Sequence, residues 1–174
     1  MKKRWVALFS QTGSEIKALA AHNGCWPDII ITNNSKYEQW EHNIPPAIVM
    51  IMPHKDIFDW FRNIEPHDTI VTLHGYLKIL PPDVCEKFEI YNGHPAAIDL
   101  FPELKGKDPQ EKAWEGNYSM IGSVVHKCTS VLDAGEIVKS VHYINRCETK
   151  EELYNKLKET SLIAWKFFLE EKFK

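Results

Sequence analysis

The sequence predicts an α/β protein built on a mixed, mostly parallel sheet flanked by helices. Two observations carry that expectation. Short apolar runs alternate with amphipathic helical patterns through the first half, which implies β-α-β units around a parallel sheet. Two later apolar runs, at 121–128 and 136–144, follow each other closely and read as a hairpin-like addition, which makes the sheet mixed.

Each element has its own signal. Residues 4–9 (RWVALF) read as the first strand, and Ser14 to His22 as a helix with Ser14 at its N-cap. Residues 29–31, 46–52 and 68–73 supply three further strands. Between the last two, Ile57, Phe58, Trp60 and Phe61 place an amphipathic helix over HKDIFDWFRN. Residues 89–93 (EIYNG) form a fifth strand, and a long loop runs from Pro95 to Asp108. The longest helical pattern spans 149–172, with Leu153, Leu157, Leu162, Ile163 and Phe167 as its apolar positions. Thr149 caps it and Glu152 completes a capping box. The aromatic residues Trp165, Phe167, Phe168 and Phe173 pack either internally or at a dimer contact.

Composition narrows the function class. The 174 residues are 44% hydrophobic and 26% charged, which suits one domain spanning 1–174. Such a chain buries a core without metal or disulfide staples. The net charge of -3 leaves no footprint for nucleic acid or an anionic membrane. The apolar run after MKKR ends at Phe9, too short for a signal segment or a membrane span. Cys25, Cys85, Cys128 and Cys147 form no C-x-x-C pair and no zinc spacing, so they read as reduced thiols of a cytoplasmic protein with no metal.

Three segments hold candidate chemistry. Asn92-Gly93-His94-Pro95 follows a strand and offers an amide donor beside a titratable base, with Gly93 allowing an unusual backbone angle between them. Asn-Gly is equally a common turn. Leu132-Asp133-Ala134-Gly135 joins two strands and reads as a hairpin turn or as a carboxylate aimed at the site. Ser10 to Ser14 links the first strand to the first helix, where backbone N–H groups hold anions. Glu15 puts a negative charge where such an anion would lie. Neither a G-x-G-x-x-G nor a Walker A motif is present.

In order along the chain, ALFSQTGSEIKAL, HGYLKILPPDV, YNGHPA and IGSVVHKCTSVLDAGEIV together resemble the folate-dependent formyltransferases, above all those of purine synthesis that act on glycinamide ribonucleotide. The resemblance implies a Rossmann-like three-layer fold. It also implies N10-formyltetrahydrofolate as the formyl-donor cosubstrate and a small-molecule amine as acceptor. Asn92, His94 and Asp133 would be the catalytic centre. Tyr76, Leu77, Lys78, Ile79 and Leu80, with Thr129, Ser130, Val131 and Leu132, would form the folate pocket. Leu77, Ile79 and Leu80 are as readily plain core. Gly13, Ser14 and Glu15, with His126 and Glu159, would face the acceptor, although a structural role suits His126 and a solvated one Glu159. The chain departs from the family at Glu15, at Ala96-Ala97-Ile98-Asp99 and in the following ELKGKDPQEKAW. Those departures leave other acceptors open, an amino-sugar nucleotide or a modified nucleotide among them. A hydrolase releasing formate, or a non-catalytic folate- or nucleotide-binding module, are the other readings. The state is monomer or homodimer.

Overall fold

The computed structural model describes residues 3–37, 44–45 and 48–173. The elements follow one another as β1 (Arg4–Phe9), α1 (Ser14–Asn23), β2 (Ile29–Thr32), β3 (Val49–Ile51), α2 (His54–Asn63), β4 (Thr69–Leu73), α3 (Pro82–Lys87), β5 (Glu89–His94), α4 (Pro109–Glu115), β6 (Met120–Lys127), β7 (Ile137–Ile144) and α5 (Lys150–Lys172). A 3-10 turn lies at Pro102–Leu104. The strands make a seven-stranded sheet in the order β3-β2-β1-β4-β5-β6-β7. Pairing is parallel from β3 through β5 and antiparallel across β5-β6 and β6-β7. This is the mixed, mostly parallel sheet flanked by helices that the sequence predicts.

Strand alternation divides the core into layers, because successive side chains point to opposite faces. From β1, Trp5, Ala7 and Phe9 pack with Ile16 and Leu19 of α1 and Trp165 and Phe168 of α5. Val6 and Leu8 point the other way, against Ile57 and Phe61 of α2 and Val84 of α3. A third cluster lies under the last strands, where Ala96, Ile98 and Leu104 meet Val124, Leu153 and Leu157. The sheet order reverses at β1, which has β2 on one side and β4 on the other. Ligands of open α/β sheets bind beyond the strand ends at such a point. Here the loops after β1 and β4 are tied together: Ser10 donates its N–H to the Gly75 carbonyl at 3.3 Å, and the Ser10 hydroxyl accepts from the Leu77 N–H at 2.9 Å.

Several elements differ from their sequence expectation. The third strand is only Val49–Ile51, and residues 46 and 47 of the expected run lie outside the described residues. Helices α3 and α4 were not expected. They have six and seven residues, too short to display a period, and both start on a proline whose fixed φ suits a first helical turn. Gly13, not Ser14, caps α1: it sits at φ 69°, a left-handed geometry that glycine adopts without strain. The capping box on α5 forms as expected, with the Glu152 N–H donating to Thr149 Oγ1 at 3.2 Å and the Thr149 N–H to Glu152 Oε2 at 3.3 Å. On that helix Trp165 and Phe168 are core, whereas Phe167 stands about half exposed. One residue is about 100° of helical turn, which carries Phe167 off the stripe of Leu153, Leu157, Ala164 and Phe168. All four cysteines are free thiols.

Candidate active site

Asn92 and His94 alternate on β5 and therefore share one face of the sheet. On antiparallel β6, His126 lies opposite Asn92 and Val124 opposite His94. Gly93 between them faces the other way, onto the indole of Trp165. It is extended, at a φ any residue adopts; it is needed because a side chain there would strike Trp165. This corrects the expectation of an unusual backbone angle.

Asp133 arrives from the β6–β7 turn, at φ 51°, and is buried. Its Oδ2 accepts from the Gly106 N–H at 2.8 Å and lies 3.7 Å from His94 Nδ1. Its Oδ1 lies 3.5 Å from His126 Nε2. His94 donates from Nε2 to the Leu104 carbonyl at 3.0 Å. His126 donates from Nδ1 to the Lys127 carbonyl at 3.2 Å, and its Nε2 accepts from Asn92 Nδ2 at 3.3 Å. These assignments follow from the partners, since a carbonyl can only accept. The loop after β5 thus serves the site through two backbone groups, Leu104 O and Gly106 N–H.

The electrostatics suit a neutral base beside a fixed carboxylate. Burial pulls the His94 imidazole below its ordinary value, and this outweighs the opposing pull of the Leu104 carbonyl and Asp133. Burial pushes the Asp133 carboxyl up, but the two histidines and the Gly106 N–H hold it, on balance, below the usual range. Nearby, burial pushes the Cys128 thiol up to about 12. An amide donor, an imidazole base and a carboxylate behind it are the parts that acyl transfer needs.

The other expected site residues divide. Leu77 and Ile79 are 67% and 71% exposed, and Val131 and Leu132 are 62% and 58% exposed, so these four are not core. Lys78, Thr129 and Ser130 are also exposed. Leu80 packs with Val84 and Cys85 and is core. Tyr76 is buried, with its hydroxyl 2.6 Å from His54 Nδ1, a partner that the sequence does not reveal.

Glu15 does not face an anion at the tip of α1. Its carboxylate turns inward: Oε1 accepts from His74 Nδ1 at 2.8 Å and Oε2 from the Ser161 hydroxyl at 2.7 Å. His74 is buried, bonded through Nε2 to Thr72 Oγ1 at 2.9 Å, and its ring packs 4.5 Å from that of Trp165. Sequence reasoning missed His74, although it opens the HGYLKIL segment. Glu159 has the solvated setting that the sequence also offered for it. It is exposed and pairs with Lys156 at 2.7 Å. Two residues, about 200° of helical turn, separate it from Ser161, which does face Glu15.

Residues 54–165, which hold every one of these positions except those of the loop after β1 and Ser10–Glu15, match the profile of the formyl transferase family. The chain is 33% identical over 104 residues to methionyl-tRNA formyltransferase of Pseudothermotoga lettingae, a match covering 56% of this chain and 32% of that protein. It therefore spans about a third of the length of that curated relative. Among solved structures, phosphoribosylglycinamide formyltransferase of Anaplasma phagocytophilum superposes with a TM-score of 0.79 at 26% identity, over 96% of this chain and 85% of that one. The Campylobacter jejuni protein of the same name gives a TM-score of 0.84 at 19% identity over 100% and 99% of the two chains, a likeness of fold. With the family's profile matched over more than half of its length, the chain belongs to the formyl transferase family.

Proposed function

We propose that this chain is a single catalytic domain that moves a formyl group from N10-formyltetrahydrofolate to the primary amine of a small molecule, glycinamide ribonucleotide. The observation that carries the reading is the convergence of Asn92, His94 and Asp133 on one face of the sheet, with His94 Nδ1 3.7 Å from the carboxylate. The acceptor amine attacks the formyl carbon, and the carbonyl π pair moves onto oxygen. An Asn92 N–H donates to that oxyanion, the interaction that is usually largest in acyl transfer. His94 Nδ1 takes the proton lost by the attacking nitrogen, and Asp133 stabilises the imidazolium so formed. As the tetrahedral intermediate collapses, the C–N10 bond breaks, its electron pair goes to N10, and the His94 imidazolium returns its proton to that nitrogen.

Two further features support the reading. Leu77, Ile79, Val131 and Leu132 stand exposed, apolar side chains of the kind that wall a pterin. The inward turn of Glu15 leaves the Gly13–Ser14 end of α1 clear of its carboxylate, which favours a phosphate-bearing acceptor there.

The test is tetrahydrofolate release from N10-formyltetrahydrofolate with and without glycinamide ribonucleotide. Release that depends on the nucleotide supports the proposal. Release of formate without an amine replaces it with a hydrolase, and release only with another amine changes the acceptor. His94→Ala is expected to lower turnover by about 10²–10⁴-fold in a protein that still folds.

A further inference from the structure

We propose that His94, His126 and Asp133 also form a binding site for a divalent transition metal of the zinc class, and that a cation held there shuts the formyl-transfer site. All three side chains are buried, and one ligand atom from each can be chosen so that all lie within 4.8 Å of one another. His94 Nδ1 lies 3.7 Å from Asp133 Oδ2 and His126 Nε2 3.5 Å from Oδ1, so the two imidazoles approach the two oxygens of one carboxylate at separations close to the roughly 3.3 Å between ligands of a tetrahedral ion, and a cation would draw the three groups together.

The hydrogen bonds around the cluster explain why it suits a cation. Each imidazole gives its N–H to a backbone carbonyl, His94 to Leu104 and His126 to Lys127. The opposite nitrogen of each lies toward Asp133, His94 Nδ1 at 3.7 Å and His126 Nε2 at 3.5 Å. A ligating histidine usually has this outer partner, which fixes ring and tautomer. The carboxylate is fixed likewise, by the Gly106 N–H at 2.8 Å. With their outer nitrogens held by carbonyls, both rings can present the inner nitrogen as a ligand beside the carboxylate, the long 3.3 Å bond from Asn92 Nδ2 to His126 Nε2 being the one to give way to a cation. Two imidazoles and one carboxylate are a zinc-type donor set, not that of magnesium or calcium. Three protein ligands leave a fourth position for water.

Occupancy and formyl transfer exclude each other. The His94 Nδ1 lone pair that would take the amine proton is the one that the metal uses. The His126 Nε2 lone pair now accepts from Asn92 Nδ2 at 3.3 Å, so a metal there releases the Asn92 amide from its anchor. This inhibitory consequence rests on the formyl-transfer reading. The binding itself does not.

The experiment titrates chelator-treated, full-length protein with Zn²⁺ by calorimetry and with Co²⁺ by visible absorption, in the absence of folate. One equivalent is expected to bind, and His126→Ala and Asp133→Ala are each expected to weaken that site by 10-fold or more. Asn92→Ala is expected to bind as tightly as the unmodified protein or more tightly, although it removes the oxyanion donor. The Co²⁺ spectrum of the unmodified protein is expected to be tetrahedral without thiolate charge transfer, which keeps the test valid if a variant misfolds. A thiolate band, no binding, or binding indifferent to His126 overturns the proposal. So does bound Zn²⁺ that leaves turnover unchanged. A protein that binds Zn²⁺ as described yet never transfers formyl groups instead refutes the functional reading.

Discussion

Replacing Gly93 by alanine tests the architecture of the site from behind. A Cβ at position 93 would stand 2.5 Å from Trp165 Nε1, 3.1 Å from Cε2 and 3.3 Å from Cζ2. Comfortable contact needs about 3.5–4.0 Å, so the two must part by roughly 1 Å. The indole has little room to retreat. It is fully buried, with the His74 ring 4.5 Å away and the Phe168 ring 5.5 Å away. Moving β5 instead strains ladders on both sides, since Asn92 pairs with Leu73 and His94 with Val124. Overpacking of this kind costs about 1–3 kcal/mol, and the rigid neighbours put Gly93→Ala near the upper end. For a chain of this size that is a fall in Tm of roughly 4–10 °C. Whatever part of the shift reaches Asn92 and His94 also lowers turnover, about 10²-fold for a full 1 Å displacement. Thermal unfolding and tetrahydrofolate release measure the two effects separately. Trp165→Leu in the Gly93→Ala background removes the ring atoms in conflict and is expected to lose less Tm than the two single changes added together. The explanation fails if Gly93→Ala melts with the unmodified protein, or if the double variant is no more stable than the sum of the single changes requires.

Other expectations bear on the folate pocket, the thiols and the acid limit of stability. Leu77→Ser and Ile79→Ser remove exposed apolar surface, so each is expected to change stability by no more than about 0.5 kcal/mol. Each raises KM for the formyl donor with little change in kcat; an unchanged KM would remove these residues from the pocket. With its thiol pushed up to about 12, Cys128 is expected to stay unmodified by iodoacetamide at neutral pH while exposed Cys25 is alkylated, as peptide mass mapping reads out. Burial raises the Glu89 carboxyl, but the hydrogen bonds from Lys172 at 2.6 Å and from Tyr91 more than offset this and leave it below its ordinary value. A depressed carboxylate stabilises the fold above its unfolded-state value, and that stability is lost as pH falls through the lower folded value. Lys172→Met is therefore expected to move acid unfolding to higher pH, and an unmoved acid midpoint in far-ultraviolet circular dichroism would refute the pairing.

What the sequence discloses about the site follows from which interactions are local. Asn92 and His94 are two apart on a strand, so their common face is legible from the period alone. The capping box of Thr149 and Glu152 is likewise a pattern of four consecutive residues, and it forms as written. The contacts that hold the site are not local. Gly106 N–H reaches Asp133 across 27 positions, and Ser161 reaches Glu15 across 146. No periodicity encodes such pairs. The helices α3 and α4 are illegible for the opposite reason, since they are shorter than the window in which a helical period shows.

Glu15 shows how this division changes a functional argument. As a residue type at the start of α1, it opposes an anion by simple Coulomb repulsion. Its actual partners are His74 and Ser161, which come from the end of β4 and from α5 and draw the carboxylate into the interface between α1, β4 and α5. The same contacts bring His74 against Trp165, and Trp165 is the surface on which Gly93 rests. A physical chain of packed groups therefore runs from the loop at Gly13 to the strand that carries Asn92 and His94. A change at Glu15 is therefore expected to reach β5 through this packing, and not only to alter charge at the tip of α1. A Glu15→Gln variant separates the two routes. It removes the charge and keeps a side chain of the same length, so an effect confined to acceptor KM reports charge, whereas a fall in kcat reports the chain of contacts through His74 and Trp165.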